Sequence, residues 1–251
     1  MHDQVSSWAK QLRNRPPQEV LHLAWQAFGR DAALSFSGAE DVALVAMAHE
    51  EGLKFPIFTL DTGRLPPATY RLLQAVMDKY AVSIDVFYPD PGALEPMVRQ
   101  KGLFSFYQDG HGECCGIRKV APLRRALAGR RAWLTGQRRD QSPTRQDIPE
   151  VHVDTSFSRP NQPLVKFNPL ASWSLTQVWT YLRAAQVPVN ELHHQGYVSI
   201  GCEPCTRALA PGEHERQARW WWEQETHREC GLHGAGNPSE LPASLRSGVQ
   251  R

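Results

Sequence analysis

No run of residues in this chain is both long and apolar enough to cross a bilayer. The first fifteen residues, interrupted by Gln4, Ser6, Ser7, Lys10 and Gln11, hold no apolar core of signal-peptide length. The expectation is a cytoplasmic protein with no membrane partner. Net charge is equally scarce. The 28 Lys and Arg against 26 Asp and Glu leave +2, too little to attract a nucleic acid or a membrane surface by itself. Aromatic residues make up only 9%, no internal repeat is visible, and the Gly-Lys-Ser/Thr of a Walker A loop is absent. The ten histidines show no spacing typical of a zinc enzyme. Cysteine is limited to five, an odd count that argues against a disulfide framework in a reducing compartment and in favour of metal ligation or catalysis.

What is present reads as an α/β protein. The 251 residues suffice for one sizeable core, or a core with a small appendage. Short apolar runs at Ala32–Phe36, Pro56–Leu60, Ile84–Tyr88 and Ala132–Gly136 alternate with helical patterns over Val20–Phe28, from Val42 to Ala48, from Pro66-Pro67 through Met77, and over Arg118–Ala128. Strands separated by such helices predict βαβ units and a parallel sheet. Ligands of these sheets sit beyond the carboxyl ends of the strands. Here the strands end in Ser37-Gly38, Asp61-Thr62-Gly63 and Thr135-Gly136. Residues 141–162, with Pro143, Pro149 and Pro160, read as a long loop. The boundary expected is 1–210 for the α/β domain and 211–251 for a C-terminal segment too poor in apolar residues for a core of its own.

The chemistry-bearing residues fall into three groups. Ser35-Phe36-Ser37-Gly38-Ala39-Glu40-Asp41 lies where a strand turns into a helix, suited to an anion at the helix start or simply to an N-capped turn. Cys114-Cys115 and Cys202-x-x-Cys205 hold four thiols, a soft donor set for zinc or an iron–sulfur cluster. Two adjacent cysteines fit poorly around one zinc ion at about 2.3 Å and better on different irons of a larger cluster. The fifth thiol, Cys230, stands in His227-Arg228-Glu229-Cys230-Gly231-Leu232-His233, where basic neighbours favour a nucleophilic thiolate and Glu229 opposes it. Upstream, Arg216 and Arg219 share a face if the segment is helical, either to clamp phosphate or sulfate oxygens or to pair with Glu213, Glu215 and Glu223. Trp220-Trp221-Trp222 could stack on bases but would point in different directions around a helix, which favours packing onto the body.

In this order the motifs resemble the assimilatory adenylyl-sulfate reductases of the phosphoadenylyl-sulfate reductase superfamily. The resemblance runs from Leu34 to Gly234 and rests also on Leu60-Asp61-Thr62-Gly63-Arg64, Thr135-Gly136-Gln137-Arg138-Arg139-Asp140-Gln141-Ser142 and Lys166-Phe167-Asn168-Pro169-Leu170. It implies a Rossmann-like sheet of the adenine nucleotide alpha hydrolase-like kind and a 4Fe–4S cluster on Cys114, Cys115, Cys202 and Cys205. It further implies reduction of adenylyl sulfate to sulfite and AMP through an S-sulfonate on catalytic Cys230, with thioredoxin as donor, in sulfate assimilation and cysteine biosynthesis. The substrate residues implied are Ser35, Ser37, Gly38, Glu40, Asp41, Leu60, Lys119, Thr135, Gly136, Arg145, Arg216, Arg219 and His233. The family's Ser-Pro-Gly-Thr-Arg is one glycine shorter here, Ser142-Pro143-Thr144-Arg145. The alternative substrate is phosphoadenylyl sulfate; a homo-oligomer is left open, and no nucleic-acid partner is implied. An ATP pyrophosphatase would favour small residues where Ala39-Glu40-Asp41 places acids, and a nucleic-acid binder is disfavoured by the near-neutral charge.

Overall fold

The computed structural model describes residues 1–223. Helices α1 (His2–Leu12) and α2 (Pro17–Phe28) precede strand β1 (Ala32–Phe36), helix α3 (Ala39–Glu50), strand β2 (Ile57–Leu60), helix α4 (Pro67–Tyr80) and strand β3 (Ile84–Phe87). Helix α5 (Pro91–Lys101) follows, then two single turns, α6 (Phe106–Asp109) and α7 (Gly112–Cys115). A π-helical turn, Gly116–Val120, leads into α8 (Ala121–Ala126). Strand β4 (Ala132–Leu134), the short pair β5 (Val151–Val153) and β6 (Val165–Phe167), and helix α9 (Leu175–Ala184) complete the regular elements.

The six strands lie in the order β3-β2-β1-β4-β6-β5, parallel except for β5 against β6. Both faces are covered, as the continuous apolar strands require. Ala32, Leu34 and Phe36 of β1 pack into the larger core with α2, α3, α4 and α9, while Ala33 packs with Phe58, Trp133 and Leu123 on the opposite side. Helix α3 is buried nearly all round, from Val42 to Ala48, because it lies among α2, α4 and α9 against the sheet. Pro67 opens α4, where its missing N–H is an orphan position in any case, and Gly29 closes α2 at φ 49°. Among the described residues, no helix is long and apolar enough to cross a membrane.

Strand succession reverses beside β1: β2 lies on one side and β4 on the other. The crevice at this switch point opens beyond the carboxyl ends of β1, β2 and β4, all three of which carry predicted site residues. The structure departs from the sequence reading at three places. The 141–162 segment contains β5 and is therefore not wholly loop. The helix expected over Arg118–Ala128 is regular only from Ala121 to Ala126, because the preceding turn widens to a π-helix. Residues 211–223 form successive turns and one bridge, Thr206 to Arg219, not a helix.

Candidate active site

A cavity of about 180 Å³ occupies the switch point. All twelve predicted substrate residues within the described chain line it. The strand-to-helix loop contributes Ser35, Ser37, Gly38, Glu40 and Asp41. Strands β2 and β4 supply Leu60, Thr135 and Gly136, and the basic groups are Lys119, Arg145, Arg216 and Arg219. Arg216 and Arg219 reach the cavity through turns, with the Arg219 amide donating to the Arg216 carbonyl at 3.0 Å. Arg145 lies in a tight turn over Pro143–Arg145, is buried, and donates to Gln141 Oε1 at 2.5 Å; the shortened family segment still delivers it to the cavity. Cys230 and His233 lie outside the described residues.

Two of the acids are braces of the loop. Asp41, at the third position of α3, accepts from Ser37 N at 2.8 Å, Ser37 Oγ at 2.7 Å and Gly38 N at 3.3 Å. Its other oxygen accepts from Gly136 N at 2.7 Å, joining the β1 loop to the end of β4. Burial raises its pKa to about 6, against the opposing effect of these hydrogen bonds. Gly136 has to be glycine: a Cβ there would lie 2.5 Å from Glu40 Cβ and 2.9 Å from the Asp41 amide. The Glu40 Oε1 accepts from Arg138 Nε at 3.0 Å and from Gln141 Nε2 at 2.9 Å. Fully buried Arg138 also gives Nη2 to both oxygens of Glu215 at 2.8 Å, and Nη1 to Asp140. Burial and the charge of Glu40 push Glu215 up to about 7, with Arg138 opposing.

The cavity wall meets the cysteines at Cys202. Cys115, Cys202 and Cys205 are buried with Phe106 and Trp220, and Cys114 packs against them. None of the four is bound in a disulfide. Thr62 Oγ1 lies 3.2 Å from Cys202 Sγ, and Arg118 donates to the Thr62 carbonyl at 2.6 Å. As bare thiols, Cys114 and Cys205 resist ionisation. Burial, then the neighbouring Cys202, pushes Cys205 to about 12, and burial raises Cys114. Cys202 is lowered, since Lys119, Thr62, Arg219 and Arg118 together outweigh its burial. Among the described residues no three His, Cys, Asp or Glu are grouped tightly enough to hold a single metal ion. The donor chemistry does fit a thiolate-bound iron–sulfur cluster. Four soft ligands share one apolar pocket, and Arg64 Nη1, Arg118 Nε, Arg219 Nη2 and Trp220 Nε1 are buried donors with no partner among the described residues. Cationic and N–H groups of this kind offset the charge that four thiolates bring into a buried site.

The sequence reading did not single out Thr62, Arg64, Arg118, Arg138, Glu215 or Trp220 as site residues. Most stood inside its quoted motifs, and only the folded contacts separate them from their neighbours. Trp220 is 1% exposed, stacks on His111 at 4.5 Å and carries Arg219 over its ring at 4.4 Å, so the tryptophan run packs onto the body as expected. Trp222 lies against Tyr107 at 4.5 Å, and Trp221 is partly exposed.

A mainly parallel sheet with its crevice at this switch point defines an α/β protein of the adenine nucleotide alpha hydrolase-like kind. Residues 31–208 match the family described as "Phosphoadenosine phosphosulfate reductase domain". The chain is 57% identical over 230 residues to an adenosine 5′-phosphosulfate reductase of Pseudomonas aeruginosa, covering 91% of this chain and 86% of that one. It is 56% identical over 236 residues to the chloroplastic 5′-adenylylsulfate reductase 3 of Arabidopsis thaliana, covering 92% of this chain but 51% of that longer protein. Among solved structures, the phosphoadenylyl-sulfate reductase of Candida auris in its phosphate complex superposes with a TM-score of 0.69 at 27% identity, over 82% of this chain and 98% of the other. An FMN adenylyltransferase of Candida glabrata, at 13% identity and a TM-score of 0.55, shares the fold alone. The chain belongs to the phosphoadenosine phosphosulfate reductase family, among its adenosine 5′-phosphosulfate reductases.

Proposed function

We propose that the chain reduces adenylyl sulfate to sulfite and AMP in sulfate assimilation, with Cys230 as nucleophile, thioredoxin as reductant and a 4Fe–4S cluster held by Cys114, Cys115, Cys202 and Cys205. The observation that carries the reading is the convergence of all twelve described substrate residues on one crevice whose wall includes Cys202. The Ser35–Asp41 loop, Leu60, Thr135 and Gly136 hold the adenosine end. Lys119, Arg145, Arg216 and Arg219 take the phosphosulfate end, where their charge offsets repulsion between a thiolate and the anionic oxygens. His233 completes the substrate set and Cys230 is delivered by the 211–251 segment.

The Cys230 thiolate attacks the sulfate sulfur; the bond from that sulfur to the bridging oxygen breaks, and AMP leaves with the electron pair. The resulting Cys230–S–SO₃⁻ is cleaved when one thiolate of thioredoxin attacks the Cys230 sulfur and releases sulfite. The second thioredoxin thiol then resolves the mixed disulfide, so two electrons pass from the dithiol to sulfur and Cys230 returns as a thiolate. When bound, the cluster supplies local charge that tunes the substrate's electrostatics through neighbouring cations. Lys119, four residues beyond Cys115 and on the cavity wall, is placed to feel both. Four cysteines outside any disulfide and a thioredoxin donor suit a reducing compartment such as the cytoplasm.

The test is anaerobic, thioredoxin-coupled sulfite release from adenylyl sulfate and phosphoadenylyl sulfate in parallel. A strong preference for adenylyl sulfate is expected. Turnover of the phosphorylated substrate alone would overturn the substrate assignment, and no sulfite from either, with cluster and thioredoxin verified, would overturn the reductase reading.

A further inference from the structure

Arg138 connects three parts of the chain that are far apart in sequence. Its Nε and Nη2 meet Glu40 at the start of α3, its Nη1 meets Asp140 in its own loop, and its Nη2 bridges both oxygens of Glu215 at 2.8 Å. The Arg138 amide donates to Gln141 Oε1 at 3.1 Å, and that same oxygen accepts from Arg145 at 2.5 Å. The group thus joins the nucleotide loop, the loop bearing Arg145, and the C-terminal segment. The Arg138 side chain is fully buried and that of Glu215 is 10% exposed. Burying one guanidinium among three carboxylates is a poor way to gain stability, since desolvation can exceed the Coulombic return. What such a group does supply is direction: each bond has a fixed geometry, unlike apolar packing.

The direction concerns the residue next to it. Glu215 immediately precedes Arg216, which lines the cavity, and stands four before Arg219, whose Nε is fixed to the Cys205 carbonyl at 3.1 Å. The segment bearing the two arginines is therefore held to the cysteine loop at Arg219 and to the nucleotide loop at Glu215. We infer that Arg138 and Glu215 are positioning residues for the reaction. Their ion pair sets the height of Arg216 over the nucleotide loop, so that its guanidinium meets the phosphate oxygens when adenosine occupies the crevice. The inference rests on the adenylyl sulfate reading of that crevice and assigns to this pair a role in anion capture, not in adenosine recognition or fold stability.

The test compares adenosine and AMP binding by calorimetry to the intact holoenzyme, its Glu215→Ala and Glu215→Gln variants, with kcat and KM on adenylyl sulfate. Glu215→Ala is expected to weaken AMP about tenfold, the scale of one charge-assisted contact, while leaving adenosine affinity and iron content unchanged. KM rises by a similar factor. Glu215→Gln keeps one acceptor for Arg138 Nη2 and recovers most of the loss. Unchanged AMP affinity in Glu215→Ala would overturn the inference. Equal loss of adenosine and AMP binding would also overturn it, since the residue would then be structural. If the wild-type enzyme binds neither adenosine nor AMP, the nucleotide reading itself fails and takes the inference with it. Wild-type binding with an unaltered variant sinks the inference alone.

Discussion

The Asp41 carboxylate reaches across the switch point of the sheet to the Gly136 amide, at 2.7 Å, while holding Ser37 with its other oxygen. One side chain thereby fixes the spacing between the two loops that flank the crevice. Its pKa of about 6 gives the arrangement a definite pH dependence. The folded value lies above the ordinary carboxylate value of 3.8, so the charged form is disfavoured by folding. The stability associated with the protonated group is complete below about 4 and is lost as pH rises through about 6. The loss is on the order of 3 kcal/mol for a shift of this size. The hydrogen-bonding role runs the other way, because a carboxylate accepts four donors better than a carboxyl does. Nucleotide affinity should therefore fall as pH drops through about 6, even as this group's contribution to stability grows. Asp41→Asn should remove that acid limb and weaken AMP binding at pH 7.5 by about tenfold, through loss of acceptors for the Ser37 donors. Calorimetric titration with AMP between pH 5 and pH 8 checks both; an identical acid limb in the variant would exclude Asp41 as its source.

Gly201 makes room for Arg219. A Cβ at Gly201 would sit 2.2 Å from Arg219 Nη2 and 2.5 Å from its Cζ. The guanidinium has little freedom to retreat, being buried, bonded to the Cys205 carbonyl and stacked on Trp220. Gly201→Ala should displace it and lower kcat/KM by about 10- to 100-fold, the range for losing a cation directed at transferring charge. Arg219→Ala should cost a similar amount, and the double variant little more than either single one. Steady-state kinetics on the three variants decide the point; additive losses would mean that Gly201 acts through something other than Arg219.

The strands and the crevice were legible because they rest on local patterns. Apolar runs ending in Ser37-Gly38, Asp61-Thr62-Gly63 and Thr135-Gly136 announce both the parallel sheet and the place where it binds. The β5–β6 pair escaped because Val151–Val153 and Val165–Phe167 are three-residue strands in a proline-containing stretch, too short for a period to show. Arg216–Trp222 forms no helix, the condition on which Arg216 and Arg219 would have shared a helix face. Arg219 bridges back to Thr206 and Trp220 takes φ 44°, so tertiary contacts, not periodicity, set that backbone. The Arg138–Glu215 pair was invisible because its members are 77 positions apart and each alone resembles a surface charge.

Cys202 stands at the junction of the cysteine pocket and the crevice, so its loss should register in both. Cys202→Ser leaves a hydroxyl that is a far poorer ligand for iron than a thiolate. The variant should lose bound iron and the brown absorption shoulder of an iron–sulfur cluster, and turnover with them. Iron analysis and the visible spectrum of anaerobically purified protein check this. Full iron content in the variant would contradict the ligand assignment whatever the activity.

Cys230 separates the chemistry from binding. The residues lining the crevice, Lys119 and the arginines among them, run from Ser35 to Trp220, whereas the proposed nucleophile lies beyond them in the sequence. Cys230→Ser should therefore retain iron and bind AMP within about twofold of wild type, while sulfite release falls by at least about 10⁴-fold, as when a covalent nucleophile is removed. Mass spectrometry after mixing with adenylyl sulfate, without thioredoxin, gives the complementary reading: the wild-type chain gains one SO₃ and the variant none. An SO₃ adduct on the serine variant, or appreciable sulfite from it, would place the reacting thiol elsewhere. Because the other four cysteines share one pocket, that result would also reopen their assignment as cluster ligands.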